Sequence, residues 1–155
     1  MRLVLNKKPT GVTIIEGFPG FGLIGTIATE FLMEHLEMEK IGLVEMQEVP
    51  AMIAIHENKV IEPISLHYNK KYNLVVVHAI NIGKELSWKL ADIIAELAIQ
   101  LRAKEIISLE GVGSPNAEGG RIFYYSTNNN HSSKMEGVAK PLMEGIIVGV
   151  TGALL

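Results

Sequence analysis

An α/β fold, with a mostly parallel sheet flanked by helices and an inserted antiparallel hairpin, is what this sequence of 155 residues predicts. Three observations carry the prediction. Short β-branched runs alternate with segments whose apolar residues recur at helical spacing, the pattern of strands covered by crossover helices. The run Leu74 to Ile80 is apolar along almost its whole length, as a strand covered on both faces should be. After it, Leu86, Leu90, Ile93, Leu97 and Leu101 fall on one side of a helix, and Lys89, Asp92, Glu96 and Gln100 on the other.

The elements follow in order. Val12 to Ile15 is a short β-branched strand. A glycine-rich turn follows, then Leu23, Ile27 and Phe31 with Ile24, Ala28 and Leu32, the broad apolar stripe of a helix packed on a sheet. Ile41 to Val44 reads as the next strand. Met52 to His67 holds two β-rich stretches around Glu57-Asn58, the turn of the predicted hairpin. Ile106 to Leu109 is another buried strand, Gly111 to Gly120 a loop, and Ile122 to Ser126 an exposed or edge strand. Asn128 to Asn130 marks a turn, because asparagine tolerates left-handed backbone angles. Gly145 to Val150 is the expected last strand, with only Thr-Gly-Ala-Leu-Leu after it. The helix that should cover it is missing, so the expectation is a fragment of a longer protein or a partner over that strand. No linker divides residues 1–155, which read as one domain, incomplete at its C-terminal end.

Composition narrows the function classes. Net charge is −3 with scattered basic residues, so no electrostatic footprint for nucleic acid or an anionic membrane is present. The longest uncharged runs, Gly17 to Thr29 and Gly145 to Leu155, fall short of the roughly 18 residues a membrane span needs. The N-terminus offers no signal-peptide core. There is no cysteine, which removes disulfides, thiolate metal sites and a Cys nucleophile together. The expected location is the cytoplasm.

The segment Glu16 to Gly25 carries the motif Gly20-x-Gly22-x-x-Gly25 after a strand and before a helix. In a dinucleotide-binding domain such glycines let the backbone approach a pyrophosphate at the positive end of a helix, and Glu45, about 20 residues on, would hold a ribose. Against this, Phe18, Pro19, Gly20 and Phe21 surround the turn with two aromatic rings and a proline. Then an antiparallel hairpin, not a second strand–helix–strand repeat, follows. A structural turn displaying Phe18 and Phe21 for protein contact stands beside the nucleotide reading.

Thr13-Ile-Ile-Glu-Gly and Ile107-Ser-Leu-Glu-Gly each end a predicted strand in Glu-Gly. Glu16, Glu45 and Glu110, with Asn81, would gather at the carboxyl ends of the strands, where open α/β sheets bind ligands. Glutamates there also cap helices or accept bonds from loop amides. Five histidines show no metal-ligand spacing, and His78, inside an apolar strand, reads as a satisfied core histidine. Asp92 sits on a polar helix face and Ser114 is in no nucleophile elbow. Trp88 reads as core. No cofactor, metal or catalytic residue is expected, so the leading reading is a non-catalytic interaction protein. The alternative is a nucleotide- or nucleoside-binding enzyme that uses the glycine loop and the carboxyl-edge glutamates.

The segments EGFPGFGLIG, LVEMQEVPAM, LVVVHA and LEGVGSPN resemble the proteasome assembly chaperone family in its archaeal form, over Val12 to Leu155. The resemblance implies an architecture related to phosphorylases and nucleosidases, self-assembly into rings or small homo-oligomers, and binding to proteasome subunits. Similar archaeal proteins are longer, and some end in a hydrophobic–tyrosine–any tail that docks into proteasome pockets. This chain ends in Gly-Ala-Leu-Leu, so that route is not implied here.

Overall fold

The computed structural model describes residues 1–48, 53–56, 58–80, 82–113, 120–128, 135 and 137–155. Strands β1 (Arg2–Leu5) and β2 (Thr13–Gly17) lead to helix α1 (Ile24–His35) and β3 (Glu39–Glu45). A detached pair, β4 (Ala54–His56) and β5 (Lys59–Ile61), precedes β6 (Ile64–Asn69) and β7 (Leu74–Ala79). Helix α2 (Ser87–Gln100), β8 (Glu105–Ser108), a two-residue pair β9 (Phe123–Tyr124) and β10 (Lys140–Pro141), and helix α3 (Gly149–Leu154) complete the chain.

Six strands form one sheet in the order β1-β3-β6-β7-β2-β8. β2 pairs parallel with both β7 and β8, while β1–β3, β3–β6 and β6–β7 are antiparallel. The expected mostly parallel sheet is therefore mixed. The cause is local: residues 70–73 alone join β6 to β7, too few for the crossover that parallel strands need. Sequence reading also missed β1, whose Leu3 lies opposite Val44. The predicted hairpin exists, turning at Asn58 with φ +59°, and forms its own two-stranded sheet.

Side chains alternate across a strand, so register sorts them into two faces. Val12, Ile14 and Glu16 share one face with Val75, Val77, Ala79, Ile64 and Leu66. That face joins Leu86, Leu90, Ile93, Ile94, Leu97 and Leu101 of α2 and its flanks in one core, as the helical spacing predicts. Trp88 does not join it and is 73% exposed. Two residues past Leu86, it lies about 200° around the helix from the buried side.

The opposite face carries Gly17, His78 and Ser65, and α1 lies on it. Here the predicted inward stripe is rotated outward: Gly25, Thr26 and Thr29 are buried, Ala28 and Leu32 are half-buried, and Ile24, Ile27 and Phe31 are exposed. The reason is proximity. A Cβ added to Gly17 would overlap the carbonyl of Gly25, so the helix rests almost backbone to backbone on β2 and admits only small side chains between.

The C-terminal stretch also departs from expectation. Residues 145–148 are in no strand, Ile146 is 92% exposed, and the chain enters α3 instead. Gly149 at φ +77° ends the extended run, and Val150 and Thr151 are buried where α3 packs on α2. β8, expected to be buried, is an edge strand with Ile107 partly exposed. Of Ile122 to Ser126, only Phe123–Tyr124 pairs, and it pairs parallel to β10 outside the main sheet.

Candidate functional site

β2 ends at Gly17, and the chain passes through Phe18-Pro19-Gly20 into one 3-10 turn, Phe21–Leu23, that opens α1. Gly22 (φ +67°) and Leu23 (φ +55°) are both left-handed. Glycine adopts that conformation freely, whereas a leucine costs roughly 1–2 kcal/mol there. The turn sends the two rings apart. Phe18, at 4% exposure, is a core residue, so the expectation of two displayed rings holds only for Phe21, at 67%.

Two glycines of the motif, Gly20 and Gly25, are used up by the protein itself. A Cβ on Gly25 would overlap the carbonyl of Leu109, and one on Gly20 would overlap the carboxylate of Glu110. From the other side, a Cβ on Gly111 would overlap the carbonyl of Phe21. Loop 17–25 is thus clasped against loop 109–113. A dinucleotide would need its pyrophosphate where Glu110 stands, and a carboxylate repels phosphate. The donor set does not fit that cofactor.

Behind this clasp lies a buried carboxyl network. Glu16 is fully buried on β2 and its Oε1 is 3.1 Å from Thr151 Oγ1. The same hydroxyl is 3.2 Å from Glu110 Oε2. One hydroxyl hydrogen shared by two carboxyl groups leaves them close together, which favours a proton on one of them. Burial pushes Glu16 up to about 7, the Ser108 and Thr151 hydroxyls pull it back, and the Glu110 charge raises it further. Glu16 Oε2, buried without a hydrogen-bond partner among the described residues, also favours the neutral form. The Thr151 hydroxyl is thus the donor that Glu16 and Glu110 share. The chain of bonds ties β2, loop 109–113 and α3 together.

Glu45 is not part of this network. It pairs with Arg2 at 2.8 Å on the exposed side of β3, three strands from β2. That separation is about 14 Å at ordinary strand spacing. Asn81 and Ser114 lie outside the described residues. No group of His, Asp and Glu among the described residues is arranged to hold a metal, and no described helix is long and apolar enough to cross a membrane.

Beneath α1, Thr29 Oγ1 is 2.9 Å from the carbonyl of Gly25 and 2.9 Å from His78 Nδ1. The carbonyl can only accept, so Thr29 donates to it and the His78 ring donates to Thr29, which fixes the tautomer. Thr26 Oγ1 donates to the carbonyl of Ala79 at 3.0 Å. Alongside, His67 Nε2 lies 3.0 Å from Ser65 Oγ. Burial, then the neighbouring His78 and Lys40, pushes His67 down to about 4, and burial also lowers His78. His78 is the satisfied histidine that its strand context predicts.

Sequence reasoning missed Thr151 and the outward stripe of α1. The signal for the second was present: Gly25, Thr26 and Thr29 are the small, polar positions, and on a helix they share one side.

Comparison with known proteins gives one consistent result. The PAC2 family matches residues 14–155. An uncharacterized protein of Methanocaldococcus jannaschii is 23% identical over 142 residues, 92% of this chain and 58% of that protein. Pyrococcus furiosus PbaA, an archaeal homolog of proteasome-assembly chaperone, superposes with TM-score 0.87 at 30% identity, over 99% of this chain and 65% of that one. P. furiosus PbaB, an archaeal proteasome activator, superposes with TM-score 0.81 at 24% identity, over 99% of this chain and 72% of that one, a likeness of fold. The chain thus spans about three fifths to two thirds of the length of the first two relatives.

Proposed function

Because the chain belongs to the PAC2 family, we propose that it is a non-catalytic protein-binding subunit of the proteasome-assembly-chaperone type, which binds proteasome subunits and associates with copies of itself. The observation that carries this reading is the exposure of Ile24, Ile27 and Phe31 as an apolar ridge on α1, with Phe21 and Leu23 exposed in the turn before it. Soluble domains seldom leave such a ridge uncovered unless something docks on it. Beside the ridge, the glycine loop is filled by the protein's own Glu110, which supports contact with proteins over contact with nucleotides. In this reading Phe21 is the interaction residue of the loop. Phe18 anchors it in the core, Pro19 and Gly20 shape it, and Glu16, Gly22, Gly25 and Glu110 hold the turn.

The test is a titration of the purified chain with archaeal proteasome α subunits. Binding is expected, and Phe21→Ser should weaken it by about tenfold, equivalent to 1.4 kcal/mol, with unchanged circular dichroism. A titration that shows no complex with any α subunit overturns the reading.

A further inference from the structure

We infer that the outer face of α1 docks a protein partner that presents an apolar helical stripe bordered by lysine or arginine. The inference rests on the protein-binding reading above and narrows it to one face and one class of partner.

Ile24, Ile27 and Phe31 follow one another at three- and four-residue spacing, and the exposed Phe21 and Leu23 lie in the turn that precedes the helix. Their exposed surface is on the order of 500 Å², the size of a functional patch but below the roughly 800 Å² that each side of a standard interface buries. A contact of that size is reversible unless charge adds to it.

Charge is where the face becomes selective. Glu30 and Glu34 run along one flank of the stripe, and Glu37 follows at the end of the helix. None of the three belongs to an ion pair among the described residues. α1 itself contains neither lysine nor arginine. A second copy of α1 would therefore bring acids to acids in an antiparallel pair and nothing cationic but His35 in a parallel one. The complement of this face is a cationic border around an apolar centre.

Two designed amphipathic peptides with one leucine stripe, one bordered by lysine and the other by glutamate, test this by fluorescence anisotropy against the whole chain. The lysine-bordered peptide is expected to bind at least about tenfold tighter, a preference that shrinks at high salt. Glu30→Lys with Glu34→Lys should invert the preference. Asp92→Lys with Glu96→Lys, the same charge change on the exposed side of α2, should leave it. Ile27→Ser with Phe31→Ser should abolish binding of the lysine-bordered peptide. Equal binding of the two peptides, or an unchanged preference in the Glu30/Glu34 variant, overturns the inference. So does a change of mass in solution on Ile27→Ser with Phe31→Ser, which would make the face a self-interface. Failure here stays distinct from failure of the broader reading. If α subunits still bind the Ile27/Phe31 variant, the chaperone reading stands and this face falls. If α subunits bind no form of the chain while the lysine-bordered peptide binds, the face stands and the proteasome reading falls.

Discussion

Helices α1 and α2 cover opposite faces of one sheet, and their apolar side chains point in opposite directions relative to it. α2 turns Leu90, Ile94 and Leu97 inward onto Val12, Ile14, Val75 and Val77. α1 turns Gly25, Thr26 and Thr29 inward onto Gly17, Ser65 and His78, and leaves Ile27 and Phe31 in water. One face is held by area removed from water, the other by close approach and hydrogen bonds. The difference teaches that stability and recognition are carried by different helices, so substitutions on them should have separable effects.

The largest expected effect is on the α2 face. Leu97→Ala removes a fully buried side chain and should cost about 2–5 kcal/mol in urea unfolding. A cost below about 1 kcal/mol would mean that α2 is not the principal cover and would break the contrast at its root.

The next prediction uses pH, because the two faces should respond to it with opposite sign. Glu16, on the α2 face, has a carboxyl raised from 4.5 to about 7. Its environment favours the neutral form, so the stability it allows is complete below about 4.5 and is lost as pH rises through 7. Glu16→Gln cannot ionise. Its advantage over the native chain should grow from near zero at pH 4 to at most about 3 kcal/mol at pH 8. On the α1 face, His67 is lowered from 6.5 to about 4, so its contribution is complete above 6.5 and is lost as pH falls toward 4. A Glu16→Gln profile parallel to the native one from pH 4 to 8 would remove the buried proton from the account.

How much of this was legible follows from what each signal measures. The α2 stripe was read correctly because Leu86, Leu90, Ile93, Leu97 and Leu101 face a sheet with room for large side chains. The α1 stripe has the same period, yet Leu23, Ile24, Ile27 and Phe31 of it face away from the sheet. Periodicity reports which residues share a side, not which side the sheet occupies, and the deciding fact was the contact of Gly17 with Gly25. The Glu-Gly echo placed Glu16 and Glu110 together correctly, but Thr151 between them depends on a C-terminal turn that Ile146-Ile147-Val148 disguised as a strand. Glu45 is placed at the carboxyl edge by residue count alone, and two intervening strands, β6 and β7, separate it from Glu16.

Smaller effects are expected at the clasp between the two glycine loops. Gly25→Ala should cost about 1–3 kcal/mol, since its Cβ would meet the carbonyl of Leu109. Gly22→Ala meets only ordinary contact with the Ile24 side chain and should cost about 1 kcal/mol, mainly through its positive φ. Thermal shift with NAD or ATP at millimolar concentration should be silent for the native chain. A rise in Tm that Gly22→Ala abolishes would return the loop to nucleotide binding.

The smallest expected effect is the most diagnostic. Phe31→Ala deletes a large aromatic ring, a change that in a core costs about 3–5 kcal/mol. Here the ring is 62% exposed and its neighbour in contact is the exposed His35, stacked at 5.3 Å between centroids. Folding removes little of its surface from water, so unfolding free energy should move by no more than about 0.5 kcal/mol. Partner binding should fall in the same variant, because the ring's surface is removed from water only in the complex. A Phe31→Ala chain as unstable as Leu97→Ala would mean that α1 is packed like α2, and that its outer face has no surface to offer.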